Sequence, residues 1–275
     1  MKTTLIGFGM CGEVVLKKCS DLPDTRFVLF SDTEAPSFVY QQQSPNELVI
    51  TVSYAKRTEG LRATGVRKDY FVNVSLVDIC LRSSPNYNGH LNVEFVILPF
   101  KHIDMLSELH EMHADRNVIF VPEIGSQTDN EEEYLSSCIH HIANDIHTLK
   151  CMVDYAGCDA ASLDVNDIHN AFGHADDTYK VINSSTKSRL DYCIEDMQIY
   201  LDRHLKIYPK RLVCQIITAE PPAQYLLDKL HLFAAKDVKV GVTMATKESK
   251  TVKLSYIAAF NWNKSNAHAL PFFYW

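Results

Sequence analysis

The chain has 275 residues, with 27 Lys and Arg against 34 Asp and Glu, and a formal net charge of −7 at pH 7. That balance excludes a general nucleic-acid binder, which needs a basic face, and no apolar run reaches the roughly 20 residues of a membrane span. Hydrophobic residues make up 46% of the chain, enough for a sizeable core in one large domain or two small ones. The eight cysteines are scattered and form no C-x-x-C pair, a pattern of reduced core thiols. Met1-Lys2-Thr3-Thr4 leads directly into a strand-like run with no small-residue cleavage site. A cytoplasmic location is the expectation.

Thr3–Ile6 reads as a strand, Glu13–Ser20 as a helix and Arg26–Phe30 as a second strand closed by Ser31-Asp32-Thr33. Residues 35–46 are loop-rich, and Leu48–Val52 is a further strand. Lys56 to Asp69 is basic and carries Gly60 and Gly65. Phe71–Leu81 reads as a helix, Ser83–Gly89 as a turn and Val93–Leu98 as a strongly apolar strand. Ile103–His113 is helical in pattern, and Val118–Val121 is another buried strand. Asn130–Leu149 is the longest helical pattern, with Leu135, Ile139, Ile142, Ile146 and Leu149 in register. Leu149–Tyr155 reads as one more strand and Ala156–Ala161 as a linker. Beyond it come helices from Asp167 and within Arg189–His204, a strand at Leu212–Thr218, a helix at Ala223–Ala235, and strands at Val238–Thr243 and Val252–Ala259.

Alternating strands and helices predict a mostly parallel sheet covered on both faces. The fold class expected is therefore α/β: a Rossmann-like nucleotide-binding domain over residues 1–158, then a smaller α+β subdomain over 159–262. An aromatic tail follows over 263–275, ending Leu270-Pro271-Phe272-Phe273-Tyr274-Trp275 and suited to a protein partner.

Gly7-x-Gly9-x-x-Gly12 follows a strand and opens a helix, and Asp32 closes the next strand about twenty residues on. Glycines there let the backbone approach a phosphate at the helix N-terminus; a tight strand-to-helix turn without a ligand is the alternative. Gly60-Leu61-Arg62-Ala63-Thr64-Gly65 is a second glycine loop, flanked by Lys56, Arg57, Arg67 and Lys68. A triphosphate site uses such a loop, whereas a dinucleotide site has no need of it. Asp164 and Asp167 lie three residues apart where a polar loop meets a helix-like run. Two carboxylates there either cap the helix or orient a water or a metal ion beside a phosphate. His110 and His113 share a helix face, but no second pair completes a metal site, so no metal centre is assigned. His140-His141 reads as structural.

In this order the motifs resemble those of the tubulin/FtsZ superfamily. Ile6-Gly7-Phe8-Gly9-Met10-Cys11-Gly12-Glu13 resembles the first nucleotide loop, especially its Gly-x-Cys-Gly-Asn form, with Glu13 in place of Asn. Ser31-Asp32-Thr33 resembles the second loop, and Gly60 to Gly65 the third. Ser162-Leu163-Asp164-Val165-Asn166-Asp167 resembles Asn-Val-Asp-Phe-Ala-Asp, which in the family reaches the nucleotide of the next subunit. Lys210 to Phe260 follows the C-terminal subdomain. The family's long glycine loop after the central strand is replaced here by Pro99-Phe100-Lys101-His102. This compactness resembles the phage- and plasmid-encoded members more than cellular FtsZ.

The resemblance implies a GTP- or GDP-binding protein, with Mg2+, that polymerises head to tail into filaments. It places the nucleotide on Gly7, Gly9, Cys11, Gly12, Glu13, Asp32, Gly60, Ala63, Thr64 and Gly65, and hydrolysis on Asp164 and Asp167 of the neighbouring subunit. Two alternatives stay open. One is a degenerate homologue that keeps the fold and an assembly surface but binds nucleotide weakly or not at all, as the lost glycine loop suggests. The other is an NAD(P)-dependent oxidoreductase in which Asp32 holds the ribose hydroxyls.

Overall fold

The computed structural model describes residues 2–30, 47–54, 91–98, 118–122, 131–159, 161–172, 179–204, 209–233, 237–246 and 248–260. These residues form two compact units. The first contains β1 (Lys2–Phe8), α1 (Gly9–Lys18), β2 (Thr25–Phe30), β3 (Glu47–Tyr54), β4 (Leu91–Leu98) and β5 (Val118–Pro122). It also takes α2 (Glu131–Tyr155) as far as His147; from Thr148 onward α2 belongs to the second unit.

The first sheet is wholly parallel, in the order β2-β1-β3-β4-β5. A parallel sheet is buried, and its strands read as near-continuous apolar runs. Leu5, Ile6, Leu48, Ile50, Val52, Val93, Phe95 and Ile97 are accordingly inaccessible to solvent. Helix α1 packs on β1, β2 and β3, seating Cys11, Val15 and Cys19 in the core. Burial, and secondarily the nearby Asp21 carboxylate, pushes the Cys19 thiol up to about 12.

The second unit contains α3 (Val165–Phe172), β6 (Tyr179–Lys187), α4 (Leu190–His204), β7 (Arg211–Thr218), α5 (Gln224–His231), β8 (Asp237–Met244) and β9 (Val252–Phe260). Its sheet runs β6-β9-β7-β8, with β9 antiparallel to both neighbours and β7 parallel to β8. Strand alternation separates two faces. Leu212, Cys214, Ile216, Leu254, Tyr256 and Ala258 join Cys193, Ile194, Met197 and Leu201 of α4 and Leu230 of α5 in one core. Helix α3 packs on β7 and β9 through its element contacts, and its Ile168, Ala171 and Phe172 are buried.

Three expectations change. Leu149–Tyr155 is not a strand but the last turns of α2. Leu149, Met152 and Val153 continue the helical burial of Ile142 and Ile146, so the apolar run is one helix face. The polar segment Tyr179–Lys187, unassigned from the sequence, is strand β6. The helix expected over Ala223–Ala235 ends at His231. The helices expected at Phe71–Leu81 and Ile103–His113, and the tail from residue 263, lie outside the described residues.

Candidate functional site

The β2-β1-β3 order makes the carboxyl ends of β1 and β3 a topological switch point, where open parallel sheets leave a crevice for ligands. The first glycine motif sits there: β1 ends at Phe8 and α1 starts at Gly9. Gly7 and Gly12 are pressed together across the turn. A Cβ at Gly12 would lie 2.6 Å from the carbonyl carbon and Cα of Gly7 and 3.3 Å from the Val52 carbonyl oxygen. A Cβ at Gly7 would lie 2.8 Å from the Gly12 backbone. Both glycines therefore let α1 close onto β1 and β3, with the α1 N-terminus at the sheet's carboxyl end.

The other residues of this motif divide. Cys11 is buried in the core. Glu13 is half-exposed and pairs with Lys17 one turn later, at 2.7 Å. Asp32, Gly60, Ala63, Thr64 and Gly65, with the Pro99–His102 segment, lie outside the described residues.

The acidic loop is described nearly throughout, and it is a built structure. Two residues after the end of α2 at Tyr155, Gly157 has a φ of 73°, the left-handed conformation that suits glycine. The Gly157 N–H donates to the Leu163 carbonyl at 2.7 Å, closing the loop at its base. Within it, the Ser162 hydroxyl donates to the Asp159 carbonyl at 2.6 Å and accepts from the Asp159 N–H at 3.2 Å.

Asp164 is the N-cap of α3, and Asp167 stands three residues later. The Asp167 N–H donates to Asp164 Oδ1 at 2.9 Å, and the Asp164 N–H donates to Asp167 Oδ2 at 3.1 Å. This is a reciprocal capping box. Each carboxylate spends one oxygen on the cap. Asp164 Oδ2 and Asp167 Oδ1 take no hydrogen bond from the described residues; Asp164 is exposed and Asp167 half-buried. Capping thus leaves one oxygen of each side chain without a bond from the described residues.

The structure does not bring His140 and His141 together as a site. His140 is exposed, whereas His141 Nε2 stands 3.6 Å from Asp145 Oδ2. Burial raises the Asp145 carboxyl well above its ordinary value. Sequence reasoning also passed over a second concavity, a cleft of about 260 Å³ between β6 and α4, lined in part by Asn183, Ser185, Asp196 and Tyr200. The Asp196 carboxylate accepts hydrogen bonds from Lys187 at 2.8 Å and Ser185 at 2.7 Å, which hold its pKa below the usual value. The sequence carries no strand signal here, because Asn183, Ser184, Ser185 and Thr186 are consecutive polar residues whose strand partner is the distant β9.

The parallel sheet followed by a mixed sheet is the tubulin/FtsZ-superfamily fold, as the likeness to solved structures shows. Among solved structures, CetZ from Methanosaeta thermophila strain DSM 6194 matches with a TM-score of 0.62 at 11% identity, over 98% of this chain and 89% of that one. GDP-form protofilaments of TubZ from Bacillus thuringiensis serovar israelensis match with a TM-score of 0.58 at 10% identity, over 98% and 87%. The empty FtsZ dimer of M. jannaschii matches with a TM-score of 0.57 at 11% identity, over 94% and 88%. No protein-family model and no curated protein matches the chain. Among the described residues, no helix is long and apolar enough to cross a membrane.

Proposed function

We propose that this chain binds guanine nucleotide and assembles head to tail into filaments, with hydrolysis completed by the acidic loop of the adjoining subunit. Residues 1–158 supply the nucleotide domain and 159–262 the activating one. The observation that carries the reading is the acidic loop: two carboxylates locked in place by a capping box, each with one oxygen unspent. The glycine turn at the switch point supports it from the other end of the reaction, since Gly7, Gly9 and Gly12 open a helix N-terminus to an anion. A neighbour with this fold is described as GDP-form protofilaments.

In this mechanism the substrate is GTP, brought in with Mg2+. Phosphoryl transfer leaves the protein little covalent chemistry; it positions groups and stabilises charge. Asp164 Oδ2 and Asp167 Oδ1 orient the attacking water on the nucleotide of the adjoining subunit. Hydrolysis therefore requires assembly.

Pro99-Phe100-Lys101-His102 stands where the family has its glycine loop, and this favours a second reading, a homologue that keeps the fold and has lost nucleotide. Competition binding with GTP, GDP and NAD, followed by light scattering in each, separates these readings. The proposal expects guanine nucleotide to bind and to drive scattering. Scattering without nucleotide binding supports the degenerate homologue, and tight NAD binding alone supports the oxidoreductase.

A further inference from the structure

We infer that Gly241 and Asp159 are positioning residues that hold the acidic loop against the edge of β8; the inference rests on the assembly-activated reading above. Strand β8 is the last in its sheet, so its outer backbone groups need partners. The loop supplies them. The Val242 N–H donates to the Ala161 carbonyl at 2.8 Å, and the Met244 N–H donates to Asp159 Oδ2 at 3.3 Å, each 80 or more residues apart in sequence.

Next to these two ties, Leu163 is 3% exposed and seats on Gly241. A Cβ at Gly241 would stand 2.7 Å from Leu163 Cγ and 2.8 Å from Gln215 Oε1, and closer still to the Leu163 backbone nitrogen. Gln215 is inaccessible and is itself fixed, donating from Nε2 to Thr243 Oγ1 at 2.9 Å. There is no room for a side chain at 241 unless Leu163 moves. Leu163 immediately precedes Asp164, so its displacement shifts both carboxylates as a unit with their capping box.

The geometry makes the role of Asp159 specific. It is an acid in an acidic loop, but its Oδ2 is committed to a backbone N–H of β8. It acts through the loop, not on the nucleotide. An amide oxygen can accept the same bond, and a methyl group cannot.

The test is turnover per assembled subunit together with amide exchange at Gly157, Val242 and Met244, in wild type, Gly241→Ala, Asp159→Ala and Asp159→Asn. A shift of about 1 Å at a catalytic group costs roughly 100-fold in rate, which sets the scale for Gly241→Ala. The inference expects that loss with GTP affinity of the unassembled chain retained, and faster exchange at Gly157 and Val242. Asp159→Ala should lower turnover by less than Gly241→Ala and speed exchange at Met244, while Asp159→Asn restores both. Wild-type exchange and turnover in Asp159→Ala overturn the inference even if Gly241→Ala does not fold. Equal loss in Asp159→Asn and Asp159→Ala also overturns it, because the carboxylate itself is then needed. If wild type shows no turnover, the functional reading fails, and amide exchange still decides whether the seat exists.

Discussion

At the residue scale, two side chains carry expectations independent of any ligand. Asp145 is buried, and burial raises its pKa above the ordinary 3.8. A carboxyl whose folded pKa exceeds its unfolded value contributes stability fully below the unfolded value and loses it as pH rises through the folded one. The wild-type chain should therefore pay a growing penalty above pH 3.8 that Asp145→Asn avoids. Melting temperatures of both proteins across the acid-to-neutral range check this: the variant gains on wild type as pH rises, and parallel curves count against it. Gly12 is the second. Its Cβ would strike the Gly7 backbone at 2.6 Å, and overpacking of this kind costs about 1–3 kcal/mol. Urea unfolding of Gly12→Ala measures that loss, and an unchanged midpoint would show that α1 does not pack on β1 as described.

At the scale of elements, the acidic loop allows its two roles to be separated. Replacing Asp164 or Asp167 by Ala removes a cap acceptor and should cost about 0.5–2 kcal/mol, so a loss of activity in those variants mixes stability with chemistry. Asparagine keeps an acceptor oxygen and is itself a strong N-cap. Asp164→Asn and Asp167→Asn should thus melt within a few degrees of wild type, while turnover falls by orders of magnitude because the water loses its carboxylate. Thermal melts paired with phosphate release read both quantities; turnover surviving in both variants would leave the acids as caps alone.

The elements also show what the sequence makes legible. The strands of the first sheet were readable because a buried parallel strand is an apolar run, as in Val93–Leu98. The start of α3 was readable to within two residues because Asp164 and Asp167 carry capping spacing. The end of α2 was misread, since Cys151-Met152-Val153 is equally apolar as strand or helix, and only the phase with Ile142 and Ile146 decides. Strand β6 was invisible because Asn183, Ser184, Ser185 and Thr186 break apolar alternation. Their partners lie elsewhere in the chain: Ser184 accepts from Thr148 at 3.1 Å and Ser185 donates to Asp196. Gly241 and Asp159 were missed for the same reason, as each matters only through a contact about 80 residues away.

At the scale of the whole molecule, the account holds that neither unit is sufficient. A glycine turn at a switch point lies in the first unit, and the acidic loop in the second. In the proposed head-to-tail polymer, one copy's turn and the next copy's loop would make one site, and two adjoining copies would then be the smallest active species. The measurement that tests this most directly is the rate of phosphate release from GTP per subunit as protein concentration is raised. The account predicts negligible release at low concentration and a steep rise at the concentration where light scattering begins. A rate per subunit that is constant across that concentration, or scattering that begins with no release at all, would contradict it.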